Sequence, residues 1–477
     1  MPQLATPPIR FLSPVNSTPT SLEVPAAHPL PSTRQRLFRT ADGRNVGLTF
    51  ALVSSLFLLW GFCNGMIDVM DKHFQQELGL TLRQSAWVQF AHYLGYFLMA
   101  LPAGWLATRL GYKGGIIVGL LMVAVGGLWF IPASHIAQFW AFLLGVCIIA
   151  AGLTFLETVA NPYTTVLGAP DLAATRINLA QSCNGIGWIF GPIAGGIFFY
   201  GKDASGASTG SEMLWIPYAA VAVVVTVLAV VFYFAPLPDL KAPDAYQHSA
   251  DSAASKRSLW SHPHFVGAIG AQFFYVAAQA GIFAFFINYM TTETPPVPAA
   301  WQTGALAAWF EPGAAGNFAL SDKGAAYLAS LGFVCFLVGR FTGSILLGIF
   351  PAHRVLGLYG LLNVAACFLV VMKLGWLSVA AVFLSYFFMS IMFPTIFALG
   401  IHGLGARAKQ AASFIVMAIM GGALLPKFMG AVGDAHGVAR SFLVPLACFA
   451  IVAAYGFTWR RLSGQRAVTQ LNPHRAH

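Results

Sequence analysis

The sequence predicts an all-α membrane protein whose twelve transmembrane helices fall into two pseudo-symmetric six-helix halves. Three observations carry this expectation. Hydrophobic residues make up 57% of the 477-residue chain and charged residues only 9%, with a mean hydropathy of +0.70; a soluble protein carries about 25% charged residues. The apolar residues come in runs of the length a membrane helix needs, about 20 residues, whereas barrel strands would be shorter and alternating. The second half of the chain also echoes the first. Leu94-Gly95-Tyr96 returns as Leu331-Gly332-Phe333, Pro162 and Gly168 as Pro394 and Gly400, and Pro192 as Pro426. Six plus six helices with weak internal symmetry place a site near the midplane between the halves.

Residues 1–45 are rich in Pro, Ser and Thr and carry Arg10, Arg34, Arg36, Arg39 and Arg44, which reads as a disordered basic cytoplasmic tail. The tail is too long and polar to lead a signal peptide, so no cleavage is expected. The Asn16-Ser17-Thr18 sequon is then a chance match. Helices are expected at 47–70, 85–107, 114–133, 138–166, 177–200 and 214–236, and again at 264–290, 323–349, 354–373, 377–401, 410–433 and 440–460. The halves are thus 46–236 and 264–460. The polar segment 237–263 is a cytoplasmic linker, and 461–477 is a second cytoplasmic tail. The Pro/Gly/Ala-rich loop 291–322 is expected to hold a short helix around Trp301–Phe310. With both termini inside, 18 basic residues fall on the cytoplasmic side and 6 outside, with Arg340 and Lys427 left within helices. That bias supports an N-in, C-in orientation.

The net charge of +10 does not point to nucleic acid, because the basic residues flank apolar segments. Cys63, Cys147, Cys183, Cys335, Cys367 and Cys448 all fall in expected helices with no C-x-x-C pair, so neither a disulfide framework nor a metal site is expected. No P-loop, H-E-x-x-H or G-x-S-x-G pattern is present, so no catalytic residues and no cofactor are assigned.

The chemistry concentrates around Gly152–Gly168. Glu157 and Asn161 share a helical face at i and i+4, and Pro162 removes the helical partner of the Thr158 carbonyl. A central charge in a membrane helix costs about 2.5–3.5 kcal/mol, so such groups usually face a protein interior or a water-filled path. The alternative is a kinked helix with a structural glutamic acid. Of the sixteen carboxyl groups, only Asp68 and Glu157 are expected within helices. Asp68 is placed near the outer end of its helix, yet Trp60, Asn64 and Asp68 recur at i, i+4 and i+8. Three further stripes follow: Gln89, His92 and Tyr96; Asn178, Gln181 and Asn184, with Trp188 beyond; and Gln272, Tyr275 and Gln279. Any one amide can be interhelical glue. Four stripes beside an embedded glutamate are better explained by a polar cavity. Amides offer donors and acceptors to hydroxyls, and aromatic rings cover a sugar's C–H face, so the set suits a neutral polyol. Arg340, in G-R-F-T-G, is read as snorkelling to the nearby helix end. Ser261-His262-Pro263-His264 is read as cytoplasmic surface.

Gly104–Lys113 resembles the signature loop of the major facilitator superfamily, with Thr108 standing where an acid is usual. Trp60–Asp68, the L-E-T-V-A-N-P-Y of Leu156–Tyr163, the N-L-A-Q-S-C-N of Asn178–Asn184 and the F-P-T-I-F-A-L-G-I of Phe393–Ile401 resemble the L-fucose:proton symporter family, which includes glucose/galactose and N-acetylglucosamine permeases. The similarity runs from about residue 46 to 460. It implies the major facilitator fold, a bacterial inner-membrane location, and a monomer whose partners are a neutral sugar, protons and the lipid bilayer. By that resemblance Asp68 and Glu157 couple protons, and Glu157, Gln181 and Asn184 meet the sugar. Gly65, Ile67 and Phe393 depart from the fucose symporter's asparagines and tyrosine. The expected activity is proton-driven import of a neutral monosaccharide, L-fucose first. Glucose/galactose or N-acetylglucosamine permeation, or sugar sensing without transport, are the alternatives. The expected substrate contacts are Trp60, Asn64, Gln89, His92, Glu157, Asn161, Gln181, Asn184, Gln272, Tyr275 and Gln279.

Overall fold

Ten helices among the described residues are long and apolar enough to cross a membrane. The computed structural model describes residues 37–39, 44–168, 173–200, 214–237, 258–297, 301, 304–312, 317–404 and 408–464. Most of both expected tails and of the linker lies outside them, as do the side chains of Thr108, Pro162 and Asn178.

Helix α1 (Gly47–Leu78) leads to a short α2 (Leu82–Ser85) and the long α3 (Trp87–Ile136), then α4 (Phe139–Val166), α5 (Ala173–Phe198) and α6 (Trp215–Phe234). α3 consists of two arms broken at Gly111, whose φ of 70° lies where a side chain would be strained. The second part of the chain holds α7 (Pro263–Ala284), α8 (Phe286–Glu293), α9 (Asp322–Ile349), α10 (Ala352–Val371), α11 (Trp376–Met389), α12 (Met392–Ile401), α13 (Ala408–Met417), α14 (Gly421–His436), α15 (Val438–Ser441) and α16 (Leu443–Leu462). α1 to α6 pack mainly on one another, through α1–α5, α3–α4 and α3–α6. α7 to α16 do the same, through α10–α16, α7–α16, α7–α14 and α9–α11. The two groups meet chiefly where α5 lies on α9 and where α14 lies on α2 and α3.

Close backbone approach explains the tightest seams. A Cβ on Gly61 of α1 would lie 2.0 Å from the Asn184 carbonyl oxygen, and one on Gly187 of α5 would lie 2.1 Å from that of Leu58. Gly421 of α14 meets the Phe273 carbonyl of α7 in the same way, at 2.0 Å. Gly187 and Gly421 stand as far apart in sequence as Pro192 and Pro426, so the internal echo extends to these contacts. Without a hydrophobic drive between helices in lipid, such small-residue seams allow the dense packing that holds them together.

Several expectations need correction. α1 runs to Leu78, two turns beyond the expected end, so Asp71 and Glu77 are helical as well as Asp68. Beyond the expected end at Met70 no proline or glycine occurs before Gly79, which caps the helix in a left-handed conformation. α4, by contrast, ends at Val166 as expected and stays helical through position 162. Expected helices 7, 10 and 11 are interrupted, at Phe285, at Ser390–Ile391 and by a 3-10 turn at Ala418–Met420. At the second break the Ser390 hydroxyl donates to the Phe387 carbonyl (2.7 Å), a local bond that competes with the helix ladder. The 291–322 loop holds a 3-10 turn, Gly304–Trp309, and an unforeseen antiparallel hairpin of β1 (Phe310–Pro312) and β2 (Phe318–Leu320).

The end of the bundle that carries α2 is closed. The Asp434 carboxylate on α14 accepts from two successive backbone N–H groups, Leu82 (2.9 Å) and Arg83 (3.0 Å). Lys427, two turns earlier on the same face of α14, stands over the rings of Trp87 (3.0 Å) and Phe90 (3.7 Å) of α3. Gln76 of α1 donates to Asp322 of α9, and Lys72 lies 3.8 Å from the same carboxylate.

Candidate functional site

Helix α1 brings four polar or aromatic residues along one stripe, Trp60, Asn64, Asp68 and Asp71. Because α1 extends to Leu78, Asp68 sits about 15 Å from that end, at 1.5 Å per residue. It is not an interfacial helix-end acid. Asp71, which sequence reasoning placed beyond the helix, is completely buried. The signal for it was present, since it continues the stripe at i+3 from Asp68.

The first arm of α3 faces this stripe. Gln89 is buried, and its amide NH2 donates to both Asp68 Oδ1 (3.0 Å) and Asp71 Oδ2 (3.2 Å). The other oxygens, Asp68 Oδ2 and Asp71 Oδ1, are buried with no partner among the described residues, as are Asn64 Oδ1 and His92 Nδ1. The Trp60 indole N–H donates to the Tyr96 hydroxyl at 2.6 Å, and Asn64 lies against that same hydroxyl. The His92 ring packs on those of Tyr93 and Tyr96 at 5.1 and 5.0 Å.

Glu157 of α4 is half-buried and lines a narrow cleft with Leu56, Phe57, Trp60, Leu156 and Ala160. Trp60 and Asn64 therefore meet at Tyr96, which lies within electrostatic reach of Glu157, while Asp68 lies one turn beyond Asn64 on α1. One turn below, Asn161 Oδ1 accepts from Gln181 Nε2 of α5 at 3.1 Å. Both residues are half-buried. Asn184 is buried and donates to the Phe57 carbonyl at 3.2 Å, which ties α5 to α1 beside the Gly61 seam.

The facing wall comes from α7, α9 and α11. Gln272 is completely buried, and both its amide atoms lack a partner among the described residues. Tyr275 spends its hydroxyl on the Met389 carbonyl (3.1 Å), at the end of α11 where the helix breaks. Gln279 is half-buried. Above them, Trp188 of α5 meets Phe333 (4.8 Å) and Phe283 (5.6 Å), and Tyr386 packs on Phe283 (4.7 Å) and Phe333 (5.4 Å). This ring cluster bridges the two helix groups. Arg340 is not snorkelling at a helix end. It lies nine residues inside α9, over the Phe336 ring at 5.1 Å, with Nε buried and unpartnered among the described residues and Tyr275 within electrostatic reach. His264 is likewise no surface residue, since Nε2 bonds the His402 carbonyl at 3.0 Å and Tyr455 donates to its own carbonyl.

The arrangement is a polar track between packed helices, with no metal-ligand cluster among the described residues. The model of the Major Facilitator Superfamily matches residues 48–426. The chain belongs to that superfamily. Within it, the chain is 36% identical over 446 residues to the L-fucose-proton symporter of Escherichia coli (strain K12), a match covering 89% of this chain and 95% of that protein. It is 34% identical over 421 residues to the glucose/galactose transporter of Brucella abortus biovar 1 (strain 9-941), covering 87% and 95%. The crystal structure of the superfamily transporter FucP in the outward conformation aligns with a TM-score of 0.61 at 34% identity, over 87% of this chain and 99% of that one. The protein is thus a multi-pass membrane protein of a transporter superfamily and not an enzyme. The superfamily signature region carries Arg109 stacked on Trp105 at 4.2 Å, while Lys113 donates to the Ala235 carbonyl at 3.0 Å.

Proposed function

We propose that this protein is a proton-coupled symporter that imports a neutral monosaccharide by alternating access of two six-helix halves, 46–236 and 264–460. The observation that carries the reading is the Trp60–Glu157 cleft. It places one carboxyl and one indole a turn from the Asn161–Gln181 amide pair, with Asn64 and Tyr96 leading from Trp60 toward the Asp68–Asp71 acids along α1. Counting the first arm of α3 and α5 as crossings alongside the ten apolar spans gives twelve, with both termini cytoplasmic in a bacterial inner membrane.

In this mechanism Asp68 carries the proton and Glu157 senses both proton and sugar. Trp60 covers the sugar's C–H face. Asn64, His92, Asn161, Gln181, Asn184, Gln272 and Gln279 supply hydroxyl partners. Gln89, whose NH2 is held by two carboxylates, offers its carbonyl oxygen, and Tyr275 offers its ring. Desolvation disfavours a bare carboxylate, so the loaded, protonated site reorients more readily than the charged one. Sealing by the Trp188–Phe283–Phe333–Tyr386 rings and the Asp434 latch keeps the proton from leaking. A proton driven by 100 mV supplies about 2.3 kcal/mol, which supports roughly a fifty-fold sugar gradient.

L-fucose is the favoured substrate. The named relatives include both a fucose symporter and a glucose/galactose transporter at similar identity, so glucose, galactose and N-acetylglucosamine complete the panel. The test is radiolabelled uptake into vesicles with an imposed pH gradient. Saturable uptake of a carboxylate or phosphate sugar, with none of these four taken up, would overturn the proposal. Sugar binding without any uptake would favour a sensor.

A further inference from the structure

We propose that Asp71 is a second proton-coupling acid, and that Asp68 and Asp71, bridged by Gln89, take up and release the coupling proton as one unit. The proposal rests on the symport reading above and adds a residue to it.

Both carboxyls are buried in the interior of a membrane-length helix, one turn apart on the same face. A single amide NH2 is shared between them, and each keeps one buried oxygen without a partner among the described residues. No ion pair forms with either of them among those residues, because Lys72 is directed to Asp322 instead. Two adjacent negative charges in a low-dielectric interior, with one shared donor, repel strongly. A single proton held between them removes half of that charge, and such a pair gains and loses protons jointly rather than residue by residue.

The surroundings give the pair two outlets. Toward the α2 end lie Lys72 and Asp322, with Tyr200 donating to the Val69 carbonyl (3.0 Å) within electrostatic reach of both Asp71 and Asp322. His73 and Glu77 follow on α1, the His73 ring packing on those of Phe199 (5.7 Å) and Tyr200 (6.1 Å). Toward the cleft, Tyr93 of α3 and Tyr386 of α11 lie within reach of Asp68. Asn64 Oδ1 and His92 Nδ1, both buried and unpartnered among the described residues, then lead to Tyr96, Trp60 and Glu157. Asp71 thus stands between the closed end and Asp68. A proton bonds to the free Asp71 oxygen when that end opens, reducing the pair from two charges to one. It leaves from Asp68 to water when the opposite side opens, which restores both carboxylates.

The experiment uses the full-length protein in proteoliposomes and reads three quantities: sugar counterflow, accumulation at an imposed gradient, and sugar-induced proton uptake. For Asp71→Asn we expect counterflow to persist while the accumulation ratio falls toward unity, up to about fifty-fold at 100 mV, with proton uptake lost. The double variant Asp68→Asn/Asp71→Asn should be no worse than either single one, as residues acting as a unit are non-additive. If Asp71→Asn matches the wild type in accumulation and proton uptake, the inference is overturned while the symport reading stands. Equal loss of counterflow and accumulation would also overturn it, as a purely structural role. If the wild type itself moves sugar without protons, both fall. Should Asp71→Asn fail to reach the membrane, Asp71→Glu decides: a displaced pH profile supports the dyad, and an unchanged one overturns it.

Discussion

The two walls of the site are built from different chemistry. The wall of α1, α3, α4 and α5 carries Asp68, Asp71 and Glu157 with a network of amides that hold or face them. The wall of α7, α9 and α11 carries the rings Phe283, Phe333 and Tyr386, the unpartnered amide of Gln272, and Arg340. In residues 264–460 the carboxyls are Glu293, Glu311, Asp322 and Asp434, and two of these tie the α2 end shut. In the proposed mechanism one half handles charge and hydroxyls while the other closes over them. A rocking mechanism benefits from this division, because the acids keep their partners while the rings and latch separate.

The sharpest way to break the comparison is at Glu157. Glu157→Ala removes the only carboxyl among the described residues that line the cleft, and we expect sugar binding and transport to be lost together. Glu157→Gln keeps a hydrogen-bonding group, so binding should persist but lose its dependence on pH. Isothermal titration across pH separates the two, and strong binding by Glu157→Ala would remove Glu157 from the sugar site.

Asp68→Asn comes next. It should bind and exchange sugar but not concentrate it, a loss of up to about fifty-fold in accumulation ratio at 100 mV. Counterflow measured beside proton-driven uptake tests this, and an Asp68→Asn protein that still concentrates sugar disproves the role.

Asp434→Ala tests the closing wall without touching the acids. It removes the acceptor for the Leu82 and Arg83 N–H groups, worth about 1–2 kcal/mol together at an exposed position, or about five- to thirty-fold in the population open at that end. A cysteine placed at Phe333 should react correspondingly faster with an impermeant thiol reagent added from that side. No change in rate would make the latch incidental.

The smallest effects are expected at Gln181→Ala and Asn184→Ala, each weakening sugar affinity by about two- to twelve-fold, the worth of one hydrogen bond. Unchanged affinity in both variants would assign that stripe to helix packing, a role the Asn184 bond to the Phe57 carbonyl already shows in part.

Much of this was legible in the sequence, and the reason is local. In lipid the backbone must hydrogen-bond to itself along each segment, so apolar run length alone placed the helices, and a 3.6-residue period alone put Trp60, Asn64 and Asp68 on one face. The internal echo was legible for the same reason, since a glycine or proline acts on its own turn. What the tertiary structure alone decided depends on residues far apart in the chain. It buried Asp71 by carrying α1 two turns past its expected end, and gave one amide of Gln89 to two acids. It moved Arg340 from a helix end to the space beside Tyr275, and committed the Tyr275 hydroxyl to a broken helix. It also set Asp434 on backbone groups some 350 positions away. Stripe spacing says which residues share a face. Only packing, which brings one particular face against another, says which carboxyl finds which amide.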